Sequence, residues 1–303
     1  MANRTHRIVQ ITDTHIVDEG EMLYGSVDTA ANLQHALETV ADNAEGLDAL
    51  VLTGDLANDG SPDAYRRLRA IVDPAAERLG VPVFYGIGNH DHRDAFRSGL
   101  LDGAAAPAGT LPAGTESDGQ RGELAPVDYV VDLDGLRIVM VDSTVPGSHR
   151  GELTLEQLGW LATTLAEPAP AGTLLTIHHP PFNTAKPETD AVVDLMASAM
   201  FDDFSGLGEA LRGTDVMTVL AGHYHEPLGG QLAGVPVWAG PSTAMSHEVG
   251  PDTFRIVPSS GYSVIDVFDD RTVVARAINC LPRPVLFEMS MADLREHIEQ
   301  AAH

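Results

Sequence analysis

The sequence predicts an α/β fold in which two packed sheets carry helices on their outer faces. Three observations lead there. The first half alternates apolar runs of strand length with amphipathic helical segments, which is the rhythm of βαβ units. Five apolar runs end in Asp, Asn or His, as strands do when they deliver side chains to the carboxyl edge of a sheet. The C-terminal part is mainly β, with short apolar runs flanking turns.

The elements follow in order. Arg7–Thr12 reads as a strand, and Asp28–Asn43 as a helix with Leu33, Leu37 and Val40 on one face. Leu47–Thr53 is a second strand. Pro62–Leu79 is a helix capped by Ser61, with Pro62 at its first position and Gly80 as its stop. Val81–Ile87 is the next strand. Residues 99–128 are rich in Gly, Ala and Pro and read as a long loop or lid. Tyr129–Asp142 reads as a hairpin turning at Asp134-Gly135, and Thr154–Leu165 as a helix. Residues 183–205 form a second irregular stretch with a helical portion at Ala191–Met200. Glu209–Arg212 falls in a short helix before the strand Val216–Ala221. Val235–Ala239, Gly261–Asp266 and Thr272–Ile278 are strands, and Met291–Ala302 is a helix with Ser290 and Asp293 as a capping box.

Bulk properties narrow the function classes. The 303 residues hold 44 acidic and 18 basic side chains, a formal charge of −26, and no basic stripe for nucleic acid. Cys280 is the single cysteine, so an internal disulfide and a thiolate metal site are both excluded, and it reads as a buried thiol. No run approaches the ~20 apolar residues of a membrane span. No signal-type apolar stretch precedes the first strand, and the expected compartment is the cytoplasm.

The five polar strand ends carry the chemistry. They are Asp13 and His15; Asp55 in TGDLANDG; Asn89 and His90 in GIGNHD; His178 and His179; and His223 and His225. Oxygen and imidazole donors without thiolate favour Mn, Fe, Co or Zn. The set is too rich for one ion and suits two, with Asp55 able to bridge them. Two divalent ions bring about +4 and two carboxylates remove about 2. Such a site attracts a phosphate although the chain is anionic, and paired metals suit in-line displacement at phosphorus. His6, His35, His297 and His303 lie outside any motif and read as ordinary surface or core residues. His92 and His179 adjoin candidate ligands and read as structural. Trp160 and Trp238 read as packing residues. No Walker A, HExxH or GxSxG pattern occurs, and GIGNH lacks the third glycine of a dinucleotide loop.

The blocks ITDTH, GDLANDG, GNHD, HHPP and GHYH resemble, in order, the five signature blocks of the calcineurin-like metallophosphoesterases. They span Asp13 to His225. LYGSVD, AYRRLR, VPGSHRGEL, QLGWLA and LRGTDV resemble more narrowly the actinobacterial class III cyclic nucleotide phosphodiesterases. The resemblance implies a four-layer α/β/β/α sandwich of two mixed sheets flanked by helices. It implies a catalytic domain over 1–280, with 99–128 and 183–205 as insertions, followed by a C-terminal extension over 281–303. Asp13, His15 and His225 would hold one metal, and Asn89, His178 and His223 the other, with Asp55 bridging. His90 would act on the leaving alkoxide, Asp91 would orient that imidazole, and Asn89 would help stabilise developing charge. His149 and Tyr24 are candidates for the substrate side. The implied activity is hydrolysis of 3′,5′-cyclic nucleotides, chiefly cyclic AMP, to 5′-nucleotides by in-line attack of a metal-bridging hydroxide. Two transition-metal ions would serve it, Fe or Mn foremost, with Zn or Co as further options. The alternatives are a broader phosphodiesterase acting on glycerophosphodiesters or 2′,3′-cyclic nucleotides, and a non-catalytic regulator with structural metals. A homodimer or higher homo-oligomer is expected.

Overall fold

A computed structural model describes residues 2–43, 45–104, 111–112, 125–182, 200–201, 203–249, 253–282 and 289–290. Its elements are β1 (Arg4–Ile11), α1 (Thr29–Asn43), β2 (Ala49–Thr53), α2 (Pro62–Leu79), β3 (Val83–Gly86), α3 (Arg93–Leu100), β4 (Leu111–Pro112), β5 (Tyr129–Leu133), β6 (Leu136–Val141) and α4 (Leu155–Thr164). There follow β7 (Thr173–Ile177), α5 (Ser205–Leu211), β8 (Val216–Ala221), β9 (Leu228–Leu232), β10 (Val235–Ala239), β11 (Met245–Val249), β12 (Phe254–Pro258), β13 (Gly261–Phe268) and β14 (Val273–Asn279).

One sheet has the order β14-β13-β1-β2-β3 and the other β4-β5-β6-β7-β8-β10-β9, with β11 and β12 forming a separate ribbon. The pairs β1–β2, β2–β3, β6–β7, β7–β8 and β8–β10 are parallel, so their carboxyl ends lie along common edges. Strands β2 (ALVLT) and β7 (TLLTI) are buried at every residue, as strands covered on both faces must be. Ile8, Leu50, Ile138, Met140, Leu174 and Leu220 join one core between the sheets. That core also takes in Leu33, Leu37 and Val40 of α1 and Leu68 and Val72 of α2. The outer face of the second sheet packs Leu161 of α4 and Leu207 and Leu211 of α5 against Val139, Leu175 and Val219. The four expected layers are therefore present. Gln10 links the sheets at depth: its Nε2 donates to Thr53 Oγ1 at 3.0 Å and to the carbonyl of Ala221 at 2.8 Å.

Helix α2 starts and stops as its sequence predicts. Ser61 Oγ accepts from the Ala64 N–H at 3.0 Å, Pro62 opens the helix, and Gly80 closes it at φ 70°. The helix α4 adds a capping box, with Thr154 and Gln157 each accepting from the other's backbone N–H. The helix expected over 209–212 is α5, which starts at Ser205 and has Arg212 as its cap. The elements α3, β4, β9, β11 and β12 were not expected. Helix α3 has only Phe96 and Leu100 buried, too few to show a period, and β9 contains two glycines. Within the stretch expected to be irregular, Leu111–Pro112 extends the second sheet by pairing with Tyr129 and Val130. Apart from Met200 and Ser290, the helices expected at 191–200 and 291–302 lie outside the described residues. Cys280 is buried and unpaired. Among the described residues no helix is long and apolar enough to cross a membrane.

Candidate metal centre

The turns that leave β1, β2, β3, β7 and β8 meet at one edge of the sandwich. Asp13 and His15 follow β1, Asp55 follows β2, Asn89 and His90 follow β3, His178 follows β7, and His223 and His225 follow β8. Backbone bonds lock the turns together: Asp13 N–H to the Gly54 carbonyl, His15 N–H to the Asp55 carbonyl, and Gly222 N–H to the His178 carbonyl, each at 3.0 Å. Asp13, His15, Asp55, His223 and His225 all have positive φ, between 41° and 69°. They make up half of the ten non-glycine residues with that conformation among the described residues. Backbone strain of this kind persists only where the surroundings over-determine it, and it clusters at functional sites.

The donor atoms form two groups that share Asp55. Asp13, His15, Asp55 and His225 are one, and Asp55, His178 and His223 the other, with the atoms of each group within 4.8 Å of one another. His15 Nε2 lies 3.2 Å from His225 Nε2 and 3.7 Å from Asp55 Oδ2. His225 Nε2 lies 3.4 Å from Asp13 Oδ1. His178 Nε2 is 3.3 Å from Asp55 Oδ2 and 3.2 Å from Asn89 Oδ1, which brings Asn89 to the second group. Six imidazole and carboxylate side chains from two sheets are gathered there largely out of water, a donor set suited to a pair of cations. Two glycines keep the space open. A Cβ on Gly88 would stand 2.3 Å from Asp55 Oδ1, and one on Gly222 would stand 2.7 Å from Asp13 Oδ2. The residues present therefore fit two ions.

The proton balance agrees. Burial pushes His15 and His223 down to about 3, so both rings are neutral and ready to ligate at neutral pH. Burial would also lower His178, but Asp55 and then Asp13 raise it to about 9. Burial would raise Asp13 and Asp55. The imidazoles of His225 and His178 hold Asp13 low, and those of His178 and His15 hold Asp55 well below the carboxylate range. Without metal, a proton on His178 balances the shared carboxylate.

His90 sits beside this cluster, its ring edge-on to His15 at 4.8 Å between centroids. Its backbone N–H donates to Asp55 Oδ1 at 2.8 Å, and its Nδ1 meets the Asn58 carbonyl at 2.7 Å. A carbonyl can only accept, so Nδ1 carries the proton there and Nε2 is left for a substrate. This corrects the role expected for Asp91. Its carboxylate accepts from the N–H groups of Leu56, Ala57 and Gly88 and from the Tyr65 hydroxyl, and it fixes the turns after β2 and β3. Burial and the Asp55 charge push Asp91 up to about 6 against those bonds.

A cleft of about 510 Å³ opens at His90 and is lined also by Asn58, Asn89, Arg93, Thr144 and His149. His149 therefore reaches the site, with Nδ1 3.0 Å from Asn89 Nδ2. Tyr24 is 62% exposed and is not among the residues that line this cleft. His179 is buried against the His178 and His223 rings. It pairs with Ser143 Oγ at 2.8 Å and with the His149 carbonyl at 3.0 Å. His92 packs over Gly60, where a Cβ would meet its ring at 2.5 Å. His247, which carries no motif, stacks on His225 from β11 at 4.3 Å between centroids. Only the chain path of the β11–β12 ribbon reveals it.

A sequence model of the calcineurin-like phosphoesterases matches residues 6–227. The chain belongs to that family. A protein of Rhodococcus erythropolis named a probable cyclic nucleotide phosphodiesterase is 39% identical over 272 residues, 88% of this chain and 82% of that one. A cAMP/cGMP dual specificity phosphodiesterase of Mycobacterium tuberculosis is 40% identical over 242 residues, 80% of this chain and 69% of that one. In fold the chain is similar to a dimetal phosphatase from Danio rerio, with a TM-score of 0.62 over 92% of this chain and 98% of the other at 17% identity. The phosphoesterase fold, the buried Asp/His cluster and the family agree.

Proposed function

We propose that this chain hydrolyses 3′,5′-cyclic nucleotides, chiefly cyclic AMP, to 5′-nucleotides, using two first-row transition ions, Fe or Mn foremost. One observation carries the reading: the doubled cage is bonded to His90 and Asn89, and both of these line a cleft of small-molecule size. The names of the two bacterial relatives support the substrate class. Asp13, His15 and His225 would hold one ion and Asn89, His178 and His223 the other, with Asp55 between them. When bound, such ions supply positive charge against phosphoryl oxygens and a source of hydroxide at neutral pH.

The remaining steps belong to the chain. The Asn58 carbonyl holds the His90 ring so that Nε2 faces the leaving oxygen. As the P–O3′ bond breaks, protonated His90 gives its Nε2 proton to O3′. The N–H of Asn89 Nδ2 is a donor on the same wall, beside His149. Asn89 and His149 bind and orient the phosphate and the sugar.

The test is a substrate panel with purified, metal-loaded protein. The kcat/KM for cyclic AMP should exceed those for 2′,3′-cyclic AMP and glycerophosphocholine by about tenfold or more, which is about 1.4 kcal/mol of transition-state discrimination. Faster turnover of glycerophosphocholine would replace this reading with the broader one.

A further inference from the structure

The two walls of the cleft come from different sheets. One is the turn after β3 with Asn89 and His90, and the other is the segment after β6 that ends at His149. Arg93, the first residue of α3, crosses between them. Its Nε lies 2.8 Å from Asp142 Oδ2, and its Nη2 donates to the Thr144 carbonyl at 2.8 Å. The Arg93 side chain is 9% exposed and that of Asp142 is 0% exposed.

The carboxylate is fully engaged. Asp142 Oδ1 accepts from the Thr144 N–H at 2.8 Å and from its hydroxyl at 2.6 Å, and Oδ2 accepts from the Val127 N–H at 2.9 Å. Gln157 Nε2 donates to the Asp142 carbonyl at 2.7 Å and to Asp128 at 3.1 Å. His179 ties both ends of the segment, meeting Ser143 Oγ beside Asp142 and the His149 carbonyl at the far end. A close buried charge pair is costly to separate, and this one, its carboxylate held by three further donors, ties together the segments it joins.

We infer that Arg93 is a positioning residue, a strut that sets the width of the cleft between the Asn89–His90 wall and the His149 wall. The inference rests on reading this cleft as the substrate site. Neither Arg93 nor Asp142 is among the cage ligands, so the strut governs the grip on whatever lies beyond the phosphate. Its loss weakens binding of a substrate that spans both walls, while a small diester held at its phosphate is affected less. This is the signature of lost uniform binding.

The double variant R93M/D142N removes the ion pair without stranding a buried carboxylate. R93K keeps the charge on a shorter, non-forked side chain and tests the same point should the double variant not fold. With manganese-loaded full-length protein, KM for cyclic AMP should rise about tenfold or more in the double variant, with kcat changed at most about threefold. R93K should fall between it and the parent. The kcat/KM for methyl p-nitrophenyl phosphate should fall at most about threefold. In the metal-free protein, hydrogen exchange of the peptide 143–151 should speed up about tenfold, with that of the peptide 11–16 unchanged. Unchanged KM and unchanged exchange would overturn the strut. So would equal losses on both substrates accompanied by loss of bound manganese, because that pattern marks general destabilisation. If the parent itself fails to turn over cyclic AMP, the cyclic-nucleotide reading falls, and the exchange comparison still decides for or against Arg93.

Discussion

At the scale of the residue, His90 is where geometry and proposed chemistry meet most closely. Its backbone N–H serves the cage through Asp55, and its ring serves the cleft. The two roles can therefore be separated. His90→Ala keeps the N–H on Asp55 and should retain both metals, while kcat falls by roughly 10²–10⁴, the usual contribution of a general acid. Metal analysis by plasma mass spectrometry beside steady-state turnover checks this, and full turnover at full occupancy would remove His90 from the mechanism. The sequence pointed to His90 but not to the group that aims it. That group is a backbone carbonyl, Asn58, and a carbonyl leaves no mark on residue type. Asp91, next to His90 in the GNHD block, drew the expectation from the family resemblance. In three dimensions three N–H groups and the Tyr65 hydroxyl use it first.

At the scale of the element, strands with long apolar runs were legible to within a few residues, because burial on both faces demands Val, Ile and Leu in sequence. Helix α2 was legible to the residue because Ser61, Pro62 and Gly80 mark its ends. Short or glycine-bearing elements left no period to read. The residue that leads into β5 carries a charge that sets a pH dependence. Burial, then the charge of Asp142, raises Asp128 to about 7, against bonds from the Asp142 N–H and Gln157. The folded value lies above the unfolded carboxylate value of about 3.9, so the folded state binds this proton more tightly. The resulting stability is complete below about pH 4 and is lost as the pH rises through about 7. Between pH 5 and pH 8 the parent should therefore lose about 2–3 kcal/mol relative to Asp128→Asn, at about 1.4 kcal/mol per pH unit over the two units below the folded value. Urea unfolding of both proteins at the two pH values measures the difference, and parallel losses would show that Asp128 is not the group responsible.

At the scale of the whole molecule, the cage is a joint between the two sheets. Asp13, His15, Asp55 and Asn89 come from the edge of one, and His178, His223 and His225 from the other. Ions bound there should couple the sheets as well as act on phosphate. Ligand binding to the native state adds about 2.7 kcal/mol per site at a hundredfold excess over Kd. With about 2–4 °C per kcal/mol, two filled sites should raise Tm by roughly 10–20 °C over the chelator-treated protein in scanning calorimetry. An identical Tm with and without metal would show that the ligands do not bridge the sheets. The same joint explains the Gln10 side chain, which a strand pattern alone would call misplaced. It is a buried amide because it bonds across the sheets to Ala221.

The sequence alone determined the α/β class, the polar strand ends, the donor chemistry suited to two ions and the family resemblance. Each is written locally, in runs, caps and short motifs whose meaning does not depend on distant partners. The tertiary structure decided which ring nitrogen of His90 is free, that Asp91 braces turns, that His247 stacks on His225, and that Arg93 spans the cleft. Those facts join residues tens of positions apart through carbonyls, rings and buried charges. Residue type at one position cannot reveal a partner that only chain folding brings within 3 Å.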